Sequence, residues 1–255
     1  MFNFGANWRN FLARADVAGV SARSERDFSE FTGVTSLEGQ TFLDIGCGTG
    51  LGSLAAVRLG AARVVSVDVS RESVECAEAL RAREGIDASR WTVLHGSVLE
   101  ESFVATLPVA TFVQSWGVLH HTGDMRRAFA NTCTRIAPGG LFHTAIYNRV
   151  WTSPMWHSLK RAYNGRGPLG RFVMHGSFFA YNAAARAAGL KHPFRRERGM
   201  SVYYDAIDWL GGYPYEYATH DEVVALMRDG GDFSLVRSRR DSGFGCNEFL
   251  FRRAS

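Results

Sequence analysis

Apolar residues recur along this chain in two alternating rhythms. Short runs rich in β-branched and aromatic residues, bounded by turn formers, predict strands at 41–45, 63–67, 91–95, 111–116 and 140–146. Between and beyond them, helical spacing of apolar positions predicts helices at 51–60, 70–85, 124–136 and 219–229. Strands and helices in alternation imply a parallel sheet with helices on both faces, an α/β fold. The tail changes character. Phe233 to Arg239 and Asn247 to Arg252 read as two strands, and the glycine-containing link 241–245 between them is short enough for a hairpin. Two stretches follow neither rhythm: residues 1–39 and residues 148–218.

The sharpest local signal lies where the first strand meets the first helix. Thr41-Phe42-Leu43 leads into Asp44, then Gly46, Gly48 and Gly50 at alternate positions, then an apolar helical pattern. Glycines there let the backbone take positive φ and let a ligand approach the main chain. The helix that follows offers unpaired N–H groups and the positive end of its dipole. A second acid, Asp68, ends the valine-rich run 62–67, eighteen residues after Gly50. A carboxylate at the tip of strand two, about twenty residues past a glycine turn, is placed to accept both hydroxyls of a ribose. An adenosine-like ligand is expected. The order D-x-G-x-G-x-G is not the nicotinamide fingerprint G-x-G-x-x-G, and no G-x-x-x-x-G-K-[ST] loop occurs.

With these residues in view, the chain resembles the class I S-adenosylmethionine-dependent methyltransferases. DIGCGTG (44–50) is similar to the family's first motif. VVSVDVS (64–70), HGSVLE (95–100), FVQSWGVLHHTGD (112–124) and RIAPGGLFHTAIYNR (135–149) follow in the family's order, so the resemblance covers residues 40–149. It implies a Rossmann-like, mostly parallel sheet of seven strands, with the antiparallel strand in the C-terminal hairpin. The cofactor it implies is S-adenosyl-L-methionine. Asp44, Gly46, Cys47, Gly48 and Gly50 would then hold the cofactor's amino-acid end. Asp68 would hold the ribose, with Val69 against the adenine. Gly96, Ser97 and Val98 would border the adenine, and Ser115 and Trp116 would lie under the methionine part. The family usually carries Asp where this chain has Ser97, so here a hydroxyl would meet the adenine amino group.

Composition narrows the class without naming a substrate. The chain has 255 residues, 46% hydrophobic and 21% charged, enough for one large domain with an insertion and too apolar for a disordered protein. Cys47, Cys76, Cys133 and Cys246 show neither C-x-x-C pairing nor zinc spacing, so no metal is expected and a reducing cytoplasm is the simpler location. The first 26 residues lack the continuous apolar stretch of a signal peptide or a membrane span, and no membrane partner is expected. The resulting domain reading is an aromatic arm or lid at 1–39, a core at 40–147 and 219–255, and a substrate-binding insertion at 148–218.

Charge is less even than the net +4 suggests. Ten Lys or Arg stand against one acid, Glu197, between 148 and 200; five acids and no Lys or Arg stand between 201 and 222. The second stretch interleaves Asp205, Asp208 and Glu216 with six aromatics, among them Tyr203, Tyr213 and Tyr215. Carboxylates beside aromatic faces suit a cation. The leading expectation is therefore a small-molecule methyltransferase acting on N or O, with a lean to a cationic amine or guanidine such as an amino acid or natural-product precursor. Asp208 and Glu216 would bind it and take its proton, and His120 and His121 are further candidate bases. Tyr147 and Asn148, at the end of strand five, and Trp8, which shares a helical face with Phe4 and Phe11, would also touch substrate. Two alternatives stand beside this reading. An RNA methyltransferase would use the basic stretch 148–200, and a non-catalytic regulator would bind the cofactor only. The same stretch serves a homodimer interface as readily as a free surface.

Overall fold

The computed structural model describes residues 17–187, 209–241, 243 and 245–255. A first helix, α1 (Val17–Thr32), precedes five β-strands that alternate with helices. These are β1 (Thr41–Ile45), α2 (Leu51–Arg58), β2 (Arg63–Asp68), α3 (Arg71–Arg83), β3 (Trp91–His95), α4 (Glu101–Thr106), β4 (Ala110–Trp116), α5 (Met125–Cys133) and β5 (Ile136–Tyr147). A single 3-10 turn, Leu119–His121, follows β4. Two helices, α6 (Ser153–Asn164) and α7 (Pro168–Ala187), come next, then α8 (His220–Asp229), β6 (Phe233–Arg239) and β7 (Cys246–Arg253).

The seven strands form one sheet in the order β3-β2-β1-β4-β5-β7-β6. The pairs from β3 to β5 are parallel, and β7 is antiparallel to both of its neighbours. The order reverses between β1 and β4, and the crevice at the carboxyl ends of those strands is where open α/β sheets bind ligands. Both faces of the sheet are covered, which is why its central strands are apolar at successive positions. Leu43, Val65, Val67, Val113, Phe129 and Phe142 pack on one side with Val223 and Met227 of α8. Phe42, Val64, Trp91 and Phe112 pack on the other with Leu54, Leu80 and Phe28.

The expected strands are all present, with two boundaries moved. β5 begins at Ile136 rather than 140, because Ile136 pairs with Ala110 before an irregularity that carries Pro138-Gly139-Gly140. That pairing also ends α5 at Cys133, short of the expected 136. The stretch 1–39 divides. Residues 1–16 lie outside the described residues, with Phe4, Trp8 and Phe11. Residues 17–32 are not a lid but a helix against the sheet. Phe28 lies 5.1 Å from Phe112, and Phe31 stacks 5.2 Å from His143. Arg58 of α2 anchors the helix through Ser21 and Glu25 at 2.7 and 3.0 Å.

The chain leaves the sheet and returns to it at one neck. Ala218 N–H donates to the Tyr147 carbonyl at 3.0 Å, and Arg149 N–H donates to the Ala218 carbonyl at 3.1 Å. The described helices α6 and α7 follow from the carboxyl end of β5.

Candidate active site

The glycine turn is fixed from below. The N–H groups of Gly46 and Cys47 both donate to the Val67 carbonyl, at 2.8 and 3.0 Å, so the turn after β1 rests on the end of β2. Gly46, Gly48 and Gly50 have φ of 77°, 54° and 82°, the left-handed region that side chains resist. A Cβ on Gly46 would lie 2.3 Å from Val118, so that position also admits no side chain. At Gly48 and at Gly117, which ends β4 with φ 75°, a Cβ would meet nothing within 4 Å. Open space therefore borders bare backbone at the switch point of the sheet.

Asp68 stands at the edge of that space. Its two oxygens accept the N–H groups of Gly48 and Ser70, at 2.9 and 2.8 Å. Burial raises its pKa against the lowering effect of those bonds. A carboxylate offers about four acceptor sites, so capacity remains for a pair of hydroxyls. This bare-backbone cradle with its part-engaged acid fits the ribose and amino-acid end of S-adenosylmethionine.

Asp44, placed by the sequence at the cofactor's amino-acid end, is engaged with its own chain. It is 3% exposed, and its Oδ2 accepts from the Ser53 hydroxyl at 2.6 Å. Burial pushes its pKa up to about 6; hydrogen bonds from Ser53 and Gln114 oppose this, and the Asp68 charge adds to it. The carboxyl thus lies beneath the turn, against the start of α2. Cys47 is buried too, and burial lifts its thiol well above the usual range.

The expected adenine border lies beside the ends of β2 and β3. Val69 is exposed at the tip of β2. Gly96 donates to the Asp68 carbonyl at 3.0 Å, and a Cβ there would strike Phe103. The Ser97 hydroxyl accepts the Leu99 N–H at 3.2 Å. The Val98 side chain belongs to the core with Val104 and Leu107. Ser115 stands next to the end of β4. It is fully buried, and its hydroxyl donates to the Ile45 carbonyl at 2.9 Å, tying β4 to β1. Trp116 donates its indole N–H to Glu248 at 3.0 Å; Glu248 also holds His143 at 2.8 Å and Arg239.

Beyond β5, the 3-10 turn and the loop before Ala218 build an aromatic wall. His120 is 1% exposed, with ring centroids 4.4 Å from His121 and 4.1 Å from Tyr147. His121 bonds the Pro214 carbonyl through Nδ1 at 2.6 Å. A carbonyl only accepts, so the Nδ1 carries the proton. Burial lowers the His121 pKa to about 3, with the Lys160 charge contributing, so the ring is neutral at pH 7. It is a hydrogen-bonding group there and a poor proton store.

Lys160 lies among the rings of this wall. It is fully buried in α6, donates to the Trp209 carbonyl, and lies 4.2 Å over Trp209, 4.9 Å over Tyr215 and 5.6 Å over Tyr147. The cation that these rings hold is the chain's own. Tyr215 is 2% exposed, and Tyr213 faces His157 at 5.7 Å. Glu216 is engaged as well: its carboxylate accepts the Gly123 and Met125 N–H groups at 3.1 and 3.2 Å, at the N-terminus of α5. Asn148 holds the hairpin link through the Asp241 and Gly243 carbonyls, both at 3.0 Å. Trp8, Tyr203, Asp205 and Asp208 lie outside the described residues. The basic stretch is partly internal: besides Lys160, Arg149 pairs with Glu222 at 2.8 Å and Arg171 donates to the Asn164 carbonyl at 3.2 Å.

Sequence reasoning missed Gly117, Ser53, Gln114, Lys160 and Glu248. Gly117 follows the strand-four motif and was findable there. Lys160 and Glu248 carry no local pattern, since their partners lie tens of residues away.

Comparison with known proteins agrees on the core. Residues 42–140 match the methyltransferase-domain family. A ubiquinone biosynthesis O-methyltransferase of Methylobacterium sp. (strain 4-46) is 34% identical over 123 residues, 48% of this chain and 46% of that protein. A ribosomal protein L11 methyltransferase of Thermotoga maritima is 47% identical over 62 residues, 24% of each. The chain thus spans less than half the length of either relative. The crystal structure of magnesium protoporphyrin IX methyltransferase from Synechocystis with bound SAH superposes with a TM-score of 0.60 at 14% identity, covering 98% of this chain and 94% of that one. At that identity the likeness is one of fold.

Proposed function

Residues 42–140 belong to the class I S-adenosylmethionine-dependent methyltransferase family, and from that premise we propose that the protein methylates an oxygen of a small, acidic or phenolic molecule. The open cradle between Gly48 and Gly117, with Asp68 at its edge, carries the reading. When bound, S-adenosylmethionine supplies an electrophilic methyl group on a sulfonium. The glycine turn 46–50 would hold its amino-acid end, Asp68 its ribose, and Val69, Gly96 and Ser97 its adenine.

The acceptor would meet the wall beyond β5. The described wall offers the buried Lys160 ammonium and a neutral His121, while Glu216 is committed to the backbone of α5. The work of these residues is to orient the acceptor and exclude water, which is most of what an in-line transfer asks of a protein. The ubiquinone biosynthesis O-methyltransferase relative, named for an oxygen acceptor, supports the choice of oxygen. A cationic acceptor would have to rely on Asp205 and Asp208, outside the described residues.

Two measurements test this. Mass spectrometry of reactions with matched phenols, carboxylates and amines should find methylated product in the first two sets; product from amines alone would overturn the acceptor assignment. Calorimetry on Asp68→Ala should show cofactor affinity weakened by about 1–3 kcal/mol, the cost of charged hydrogen bonds lost from partly buried hydroxyls. Unchanged affinity in a folded variant would overturn the cradle.

A further inference from the structure

The helix α7 is apolar on two sides. Its inner side packs Phe178 with Tyr163, Trp209 and Leu210, and Met174 and Phe179 lie partly buried against them. On the opposite side Leu169, Phe172, Val173, Gly176, Ser177 and Ala180 succeed one another at helical steps of three and four, and every one is exposed. None is ionisable. Leu169 is 78% exposed, Phe172 73% and Val173 58%. The segment leading into and along α6 adds Trp151 at 93% and Met155 at 57%. A helix at a water-facing surface normally turns a polar face outward. Exposed apolar residues scattered singly need no explanation, but a contiguous patch marks a surface that meets something.

Charge identifies what it meets. The sequence holds no Asp or Glu from 125 to 196. Arg161 and Arg166, at the end of α6 and in the link to α7, are both exposed. Aromatic and aliphatic residues on one side, exposed arginines close in sequence and no acid among residues 125–187 make the surface of an element that lies in a membrane interface. A second copy of this chain would bring the same arginines against themselves with no carboxylate in the patch to pair them. No described helix is long and apolar enough to cross a membrane, so the contact is one of lying on the surface. We propose that α6 and α7 dock on an anionic lipid surface, with the Phe172 stripe at the acyl boundary and Arg161 and Arg166 among the headgroups. The sequence reading expected no membrane partner; the stripe escapes notice there because polar and inward-facing residues interrupt it at every turn.

Co-sedimentation with vesicles tests the assignment and needs no cofactor, so its outcome is independent of methyl transfer. The full chain should pellet with vesicles of phosphatidylcholine mixed with phosphatidylglycerol and stay largely in solution with phosphatidylcholine alone. Arg161→Gln and Arg166→Gln should each weaken binding by about fivefold. Phe172→Ser should weaken it by about tenfold or more. The melting temperature should hold in all three, because the residues are exposed. Equal binding to both vesicle types, or full binding by Phe172→Ser, would overturn the proposal. So would a chain that ignores vesicles but forms a dimer, by sedimentation equilibrium, that Phe172→Ser dissociates.

Discussion

The turn after β1 and the aromatic cluster behind β5 each bury an ionisable side chain, Asp44 in one and Lys160 in the other. Asp44 is met by neutral donors, and its pKa rises to about 6 because they do not fully replace water. The contacts of Lys160 include three ring faces and one carbonyl. Ring quadrupoles attract a cation, so the aromatic faces contribute to holding the lysine. The two solutions also differ in reach. Ser53 lies nine residues from Asp44, whereas Trp209 lies 49 from Lys160. The first is local and travels with a motif. The second exists only when the insertion has closed on its neck.

The comparison can be broken most severely at the turn itself. Gly46→Val places a branched side chain at φ 77° and within 2.3 Å of Val118. Overpacking and left-handed strain together should cost about 3–5 kcal/mol, seen as a large fall in melting temperature and loss of cofactor binding by calorimetry. A variant that melts and binds normally would mean the turn relaxes freely.

On the other side, Lys160→Ala removes a buried stem and leaves the Trp209 carbonyl without its donor, which should cost about 2–4 kcal/mol in urea unfolding. The same variant should raise the His121 pKa from about 3, measured by NMR titration, but only in part, because burial is the larger cause and remains. A His121 that does not move would show that the Lys160 charge is not felt there.

The Asp44 side is sharpened by pH. Its folded pKa of about 6 lies above the ordinary aspartate value of 3.8. The native state therefore holds the proton more tightly, and stability falls as pH rises from about 4 to about 6, then levels. The size is about 3 kcal/mol for a shift of roughly two units. Asp44→Asn should abolish that slope in unfolding curves taken across the window, and a slope that persists in the variant would assign it elsewhere.

The smallest effect belongs to Glu216→Gln. It keeps an acceptor oxygen but removes a negative charge from the N-terminus of α5, a loss of about 0.5–1 kcal/mol. The acceptor's KM should stay level. A rise in KM at unchanged stability would return Glu216 to the substrate.

How much of this was legible follows from the same contrast. The strands, the hairpin and the glycine turn were readable because period and turn chemistry are local: Thr41–Ile45 and Trp91–His95 stand where the pattern put them. The inward side chains of Ser115 and Val98 were not readable, because motif position tells where a residue stands and not which way its side chain faces. The helices Ser153–Asn164 and Pro168–Ala187 went unread, since one is studded with polar residues and the other is apolar on both sides. Their tertiary partners, Trp209 and Tyr215, sit across the insertion.

The hydrogen bonds behind Asp44 run in one direction. The Trp91 indole N–H can only donate, and it donates to Ser66 at 2.7 Å. The Ser53 proton is spent on Asp44, so at the 2.6 Å contact between the two serines Ser66 must be the donor to Ser53. The relay leads from the largest buried side chain of the core to the carboxyl under the turn, and the ionised carboxyl sets its direction by taking the Ser53 proton. Position 44 must therefore end the chain as an acceptor. An asparagine, with its amide oxygen turned to Ser53, completes the relay; a leucine of similar size leaves a serine proton pointing at a methyl group and loosens the floor on which the glycine turn stands.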